Sequence, residues 1–269
     1  MNPSVRPAAV AGAFYPDSAS ALEGIVSLML TEAPRDASPN PKAIIVPHAG
    51  YIYSGPIAAC IYARLRRMRD IIRRIVLLGP THRVAVNGLA LPSCTDFSTP
   101  LGVVPIDHQG LATLVDLPQI VVNDAAHAQE HSLEVQLPFL QMVFGSFSLL
   151  PLAVGQASPD AIAEVLERLW GGEETLIVIS SDLSHYLPYD SARKMDNETA
   201  QQIIDLDPSI SHRQACGASP INGLLLAARK HGLQPVLVDL RNSGDTAGDK
   251  ARVVGYGAFA FHEVGQHAH

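Results

Sequence analysis

The chain has 269 residues, 47% of them apolar and 17% charged, with a formal net charge of −7. That content fills a sizeable core and excludes a disordered binder; the acidic balance lacks the basic footprint of a nucleic-acid-binding protein. Cys60, Cys94 and Cys216 lie far apart with no C-x-x-C pair, so no disulfide framework is expected and a reducing cytosol is the default.

Short apolar, β-branched runs alternate with longer helical patterns, which predicts βαβ units and a largely parallel sheet covered on both faces. An N-terminal arm precedes a helix over 19–30 and a polar loop over 31–41. The first core strand is 43–47, and the loop from His48 to Gly55 opens a helix near Pro56, where proline suits the first turn. The arginine-rich stretch from Arg64 to Arg74 reads as a solvated helix face followed by a turn. A second strand spans 75–79, and residues 88–107 read as a β-hairpin-like excursion. Glu130 to Phe144 has helical period, with Pro138 expected to kink or split the helix. Further strands follow at 147–154, 175–179, 235–240 and 252–261, with helices near 159–170, 191–205 and 219–231. With no internal repeat and no obvious linker, one domain over 1–269 is the simplest organisation. The first residues lack a signal-peptide pattern, and no apolar run reaches the roughly 18 residues a membrane helix needs. A cytoplasmic, soluble protein is expected, with neither membrane nor nucleic acid as a partner.

Four of the strands end in groups that bind metals: His48, His82, the pair Asp182 and His185, and Asp245. Ligands of open α/β sheets bind outside the carboxyl ends of the strands, so parallel neighbours would bring these residues to one crevice. A neutral imidazole is a common metal ligand and a ready general base. His185 could ligate or act beside the metal, while Ser180 and Ser181 could simply cap a helix. His127, His131 and Glu134 would share one helix face. His131 and Glu134 read either as pocket-lining groups or as capping and packing. Asp245 reads either as an anionic ligand or as part of a Gly-Asp turn. Cys216 is either a reactive thiol or a residue at a helix boundary. Tyr51, Tyr53, Asp182 and Tyr186 are candidate substrate contacts, with packing as the alternative for the tyrosines. His262, His267 and His269 suggest weak adventitious metal binding. Two histidines and a carboxylate on one octahedral face, as His48, His82 and Asp245 would be, is the arrangement of non-haem iron oxygenases. Fe(II) is the first choice, and zinc or copper would also accept the imidazoles.

Seven stretches in order resemble the Memo family, also called the B protein of the AmmeMemoRadiSam system. They run from Val5 to Pro16, Pro47 to Gly55, Leu78 to His82, Thr99 to Gly102, Glu130 to Leu140, Ser180 to Tyr186 and Ser243 to Asp245. The resemblance implies a single α/β domain, a three-layer sandwich with a mostly parallel central sheet, similar to class III extradiol ring-cleaving dioxygenases. Those enzymes hold non-haem iron with two histidines and a glutamate. Carried over by position, His48 and His82 are the metal histidines and His185 the catalytic histidine. Animal Memo proteins are described as copper- or iron-binding redox proteins with a cysteine near the Ser-Gly-Asp stretch. Thr246 occupies that position here with no cysteine nearby in sequence, which counts against copper redox chemistry and leaves Asp245 as third ligand. Animal members also bind phosphotyrosine peptides, but no stretch of this sequence identifies such a groove. Family association further implies AMMECR1-like and radical SAM proteins as partners, with a small-molecule or peptide substrate. The first expectation is therefore a dioxygenase-like oxidoreductase. The rivals are a non-catalytic metal-binding or docking protein and a zinc-dependent hydrolase.

Overall fold

The computed structural model describes residues 4–34 and 38–263. In chain order the elements are β1 (Val5–Arg6), α1 (Ala19–Glu32), β2 (Ala43–Val46), α2 (Tyr51–Tyr62), β3 (Arg74–Pro80), β4 (Leu89–Leu91), β5 (Asp96–Thr99) and β6 (Gly102–Pro105). Then follow α3 (His108–Ala112), β7 (Ile120–Val122), α4 (Asp124–Ala128), α5 (Leu137–Phe144), β8 (Ser148–Val154), α6 (Pro159–Leu169) and β9 (Thr175–Ser180). The last are β10 (His185–Leu187), α7 (Tyr189–Ile204), α8 (Ala218–Lys230), β11 (Leu233–Asn242) and β12 (Val253–Glu263).

Nine strands form one sheet in the order β10-β12-β2-β9-β3-β8-β4-β7, with β11 also on β12. At its centre β2, β9, β3 and β8 run parallel. Almost every residue of these four is buried, because helices cover both faces. On one group of contacts α8 packs on β3, β9 and α6; on the other α2 packs on β2, β11, β12, α1 and α5. The predicted excursion resolves into β4, which joins the main sheet, and the β5–β6 hairpin, which pairs with β1 in a small second sheet. Among the described residues, no helix is long and apolar enough to cross a membrane.

Two helix expectations are corrected. The helix expected near Pro56 begins at Tyr51 and carries Pro56 inside it. The single helix expected over 130–144 is three pieces: a turn, a short 3-10 segment over Glu134–Gln136, and α5 from Leu137. Pro138 therefore sits in the first turn of α5, where its missing N–H costs nothing. His127 belongs to a separate short helix, α4. The shared helical face of His127, His131 and Glu134 does not exist.

The turn replacing that helix is held by the N-terminal arm. Glu134 is fully buried. Its carboxylate is paired with Arg6 and accepts the Ala9 N–H at 2.8 Å, the Val10 N–H at 3.0 Å and the Tyr15 hydroxyl. Arg6 also donates to the backbone carbonyls of His127 at 2.9 Å and Glu130 at 2.7 Å. Glu134 thus does not line a pocket, contrary to expectation; every acceptor position it offers is taken by the arm. Burial first, then the Glu134 charge, pushes the Tyr15 phenol far above its ordinary range. Glu134→Ala should cost about 3–5 kcal/mol of stability, because it strands the buried Arg6 charge. Urea unfolding measures this; a midpoint unchanged from the parent would show that the arm is not held this way.

Candidate metal centre

The carboxyl ends of β2, β9 and β3 lie side by side. Each chain continuation carries a polar group into the same crevice. His48 follows β2, Asp182 follows β9 and His82 follows β3. The turn before α5 brings in His131 from below. One ring nitrogen from each of His48, His82 and His131 lies within 4.8 Å of the others. The ring centroids of His48 are 5.2 Å from His82 and 5.3 Å from His131, both edge-on, while His82 and His131 stack at 4.5 Å.

Hydrogen bonds decide which nitrogen two of the rings present. Glu130 Oε1 lies 2.9 Å from His82 Nδ1, a hydrogen bond, and 3.3 Å from His131 Nδ1, a charge contact. A carboxylate only accepts, so the His82 ring places its N–H on Nδ1 and leaves Nε2 as a lone pair. The same carboxylate accepts the backbone N–H of His82 at 2.6 Å, and those of His131 and Ser132 at 2.9 Å each. His48 Nδ1 lies 3.0 Å from Ser180 Oγ. The Ser180 hydroxyl spends its proton on the Ser132 carbonyl and receives Gln136 Nε2 at 2.8 Å. It can only accept from His48, so here too the lone pair is on Nε2, which has Cys216 Sγ 3.3 Å away. This is the arrangement in which outer hydrogen bonds fix the tautomer of metal-ligating histidines.

Burial disfavours the charged form of two of the rings. Burial, helped by the neighbouring His131, His82 and His185, holds His48 well below the ordinary imidazole range. Burial lowers His131 to about 4, with the Glu130 charge opposing and His82 and Arg83 assisting. Burial alone would raise Glu130, but the ring and backbone donors of His82 and the Ser132 N–H outweigh it and hold that carboxyl at about 2. Three imidazoles gathered over a buried carboxylate are a donor set that fits one divalent ion.

The cluster forms the floor of a cleft of about 830 Å³. Its walls include Phe14, Tyr53, Asp182, His185, Tyr186 and Arg252. Asp182 accepts the His48 N–H at 2.7 Å, and burial pushes its carboxyl up to about 6. His185 lies on β10, with its ring 5.9 Å from that of Tyr186. Tyr186 is exposed and has φ of 59°, a left-handed conformation that costs a bulky residue on the order of 1 kcal/mol or more.

The structure thus brings His48, His82, His131, His185, Tyr53, Asp182 and Tyr186 together. Asp245 is elsewhere, correcting its expected place as third ligand. β11 does end at the same edge of the sheet, but Asp245 caps the short 3-10 turn Ser243–Asp245. Its carboxylate accepts the Asn242 N–H at 3.0 Å and the Tyr189 hydroxyl at 2.5 Å, facing a different pocket. Tyr51 is buried, its hydroxyl donating to the Val135 carbonyl at 2.8 Å, so it packs rather than lining the cleft. His262 is buried in β12, while His267 and His269 lie outside the described residues. The sequence reading missed Glu130 as the shared acceptor and Cys216 as a neighbour. Cys216 does sit at a helix boundary, just before α8, yet its Sγ is 3.3 Å from His48 Nε2. Gly217 permits this approach: a Cβ there would lie 2.7 Å from the Ser181 side chain. Burial, then the Asp182 charge, raises the Cys216 thiol to about 12.

Comparisons with known proteins show the family and the fold. A family model described as "Memo-like protein" matches residues 6–260. A "MEMO1 family protein" of Ignicoccus hospitalis is 36% identical over 283 residues, covering 96% of this chain and 98% of its own. One from Aquifex aeolicus is 38% identical, with 94% and 97% covered. Another from Methanococcoides burtonii is 39% identical, with 94% and 98% covered. The crystal structure of uncharacterized protein JW3007 from Escherichia coli K12 superposes with a TM-score of 0.53 at 12% identity, covering 81% of this chain and 99% of that one. At that identity the likeness supports the fold alone.

Two outcomes are expected. In elemental analysis of tag-free, anaerobically purified protein, His48→Ala, His82→Ala and His131→Ala should each lose the metal, and Asp245→Asn should keep it. Glu130→Gln should weaken metal affinity by about 10–100-fold. Full metal in His131→Ala, or loss in Asp245→Asn, would reverse the ligand assignment. The second concerns pH. In the metal-free protein, His48 and His131 take up protons far less readily folded than unfolded, so the unfolded state binds more protons below pH about 6.5. Stability should therefore be fully present above that pH and fall as pH drops toward about 4. Denaturant midpoints across that window test it, and a flat profile would contradict the neutral-ring assignment.

Proposed function

This chain belongs to the Memo-like family, and from that premise we propose that it is a metal-dependent oxidoreductase with a dioxygenase-like site, holding one Fe(II) ion through His48, His82 and His131. The observation that supports the reading is a one-sided donor set. Three imidazoles approach from the protein side, and the other side opens to the cleft. A ligand set that leaves positions open is what non-haem iron oxygenases require. When bound, iron supplies the redox centre at which O2 and an electron-rich substrate meet.

The protein's own groups do the rest. His185, on the cleft wall, takes a substrate hydroxyl proton at its ring and returns it later. Asp182 anchors the His48 backbone and, being buried, holds or releases a proton close to neutral pH. The rings of Phe14, Tyr53 and Tyr186 exclude water and orient a planar substrate. Phe14 is set by the N-terminal arm, and its ring lies 4.7 Å from His131. That contact connects the Glu134 anchor to the shape of the site.

A second reading is favoured by a specific observation. The ligand group contains three imidazoles and neither carboxylate nor thiolate. That set also suits a catalytic zinc carrying hydroxide, which would make the protein a hydrolase.

An oxygen electrode with Fe(II)-loaded protein and a panel of catechols separates the two. O2 uptake should occur with the parent and vanish in His48→Ala. His185→Gln should keep its iron and lose about 10²–10⁴-fold in turnover. No uptake across the panel, with ester or phosphate hydrolysis by the zinc form, would replace the first reading with the second.

A further inference from the structure

Next to the strand that carries His185 lies a buried carboxylate, Asp196 of α7, outside the wall of the cleft. It borders instead a separate cleft of about 400 Å³, together with Arg193 and Asn197 of α7 and Leu240 and Asn242 of β11. Its Oδ1 accepts the Ser184 N–H at 3.0 Å, one residue before His185. Burial pushes this carboxyl up, while Ser184 and the charge of His185 oppose the shift, so the two groups feel each other. A buried charge costs free energy unless donors surround it. Glu130 meets that cost with donors from His82, His131 and Ser132. Asp196 holds a backbone amide beside a candidate proton-transfer group.

The backbone around this carboxylate is closely fitted. The Leu183 N–H donates to the Gly255 carbonyl and the Gly255 N–H to the Ser184 carbonyl, each at 2.8 Å, which straps the stretch to β12. A Cβ on Gly255 would lie 2.1 Å from Asp196 Oδ2 and 2.6 Å from Oδ1, so glycine there lets the carboxylate lie against the strand. Immediately beyond, the pairing slips by one residue. His185 stands opposite Val254 and Leu187 opposite Val253, which leaves Tyr186 as the extra residue of a bulge, at φ of 59°. A bulge bends its strand and re-aims side chains, and a strained backbone persists only where its surroundings over-determine it. Upstream, Asp182 accepts the His48 N–H at 2.7 Å. The chain from Asp182 to His185 is therefore held at one end by the His48 backbone and at the other by Asp196.

From this geometry we propose that Asp196 is a positioning residue for His185. By holding the Ser184 amide beside β12, it fixes the backbone just ahead of the bulge, and so the direction in which the His185 ring enters the cleft. Asp196 lies outside the cleft wall, so it acts on the reaction only through His185. The role requires a hydrogen-bond acceptor at that place and not its charge. The inference rests on the reading of His185 as the group that takes the substrate's proton, and it does not depend on which metal lies at the floor of the cleft.

Two readouts on the whole chain test it. The first is the histidine ring NMR spectrum of the zinc-loaded protein, in which the His185 signals are those missing from His185→Gln. Asp196→Ala should shift or broaden these signals and leave those of His212 and His231 in place. Asp196→Asn, which keeps an oxygen to accept the Ser184 N–H, should restore the parent positions. Gly255→Ala displaces the same carboxylate from the β12 side and should reproduce the Asp196→Ala spectrum, so the test stands even where Asp196→Ala fails to fold. The second readout is turnover of the Fe(II) form in the oxygen electrode. Asp196→Ala should keep its iron and its KM and lose on the order of 10²-fold in kcat, the cost of a reacting group about 1 Å out of place. Asp196→Asn should recover most of that loss. In the His185→Gln background Asp196→Ala should cost nothing further, because the two residues act as a unit.

His185 signals unchanged in both Asp196→Ala and Gly255→Ala would overturn the proposal. So would an Asp196→Asn variant as damaged as Asp196→Ala, since the charge and not the acceptor would then be the working part. A further loss of the same size in the His185→Gln background would make Asp196 a general stabiliser of the fold, and would overturn it too. The oxygen-electrode result is separable. No O2 uptake by the parent sinks the oxidoreductase reading, while an Asp196-dependent His185 spectrum still upholds this one. O2 uptake that needs His185 but is indifferent to both Asp196→Ala and Gly255→Ala sinks this one alone.

Discussion

The site depends on one buried carboxylate. Glu130 is 3% exposed, yet it stays ionised because its two oxygens collect donors from His82, His131 and Ser132. A buried charge this well satisfied is rigid, because removing any donor would leave costly unpaired charge. Its rigidity passes to two rings at once. His82 cannot turn its ring away without giving up its hydrogen bond to that carboxylate, and the His131 ring lies 3.3 Å from the same oxygen. The protein builds a metal-binding geometry by sharing one acceptor between two residues 49 positions apart in the chain.

The remaining ring is held by neutral contacts from the same neighbourhood. His48 leans on Ser180, which leans on the Ser132 carbonyl, and the Ser132 hydroxyl donates to the Pro80 carbonyl at 2.8 Å. Gln136 spans Ser180 and the Pro47 carbonyl. So the turn over 130–136 touches the ends of β2, β3 and β9 together. The N-terminal arm clamps that turn through Arg6 and Glu134. Glu134, expected either to line the pocket or to cap and pack, acts at a distance: it fixes the arm that sets Phe14 against His131.

How far the sequence could be read follows from the kind of signal each residue leaves. His48 and His82 were legible because an apolar strand followed by an imidazole is a local pattern, and strand ends converge in an open α/β sheet. The parallel core was legible for the same reason: runs such as Ala43–Val46 and 176–179 are apolar throughout. His131 was misplaced because the apolar spacing from Glu130 to Phe144 mimics a helix, whereas buried polar contacts to Arg6 and His82 hold its first half as a turn. Asp245 failed for another reason. β11 ends at the correct edge, but β12 lies between it and β2, and a local capping box takes its carboxylate. Cys216 leaves no local signal at all; only the packing of Gly217 on Ser181 brings it to His48.

Charge balance in the cleft bears on what it can accept. A divalent ion among the three imidazoles would bring two positive charges. Glu130 supplies one negative charge beneath it, and Asp182 supplies another above pH about 6. The floor is then close to neutral and offers an incoming anion little net attraction. Two like charges about 6 Å apart at an effective dielectric of 20 repel by about 3 kcal/mol, so an oxyanion near Asp182 would be turned away. A charge that orders protein side chains gains from a low dielectric, whereas a charge that must capture and release a ligand has to remain in reach of water.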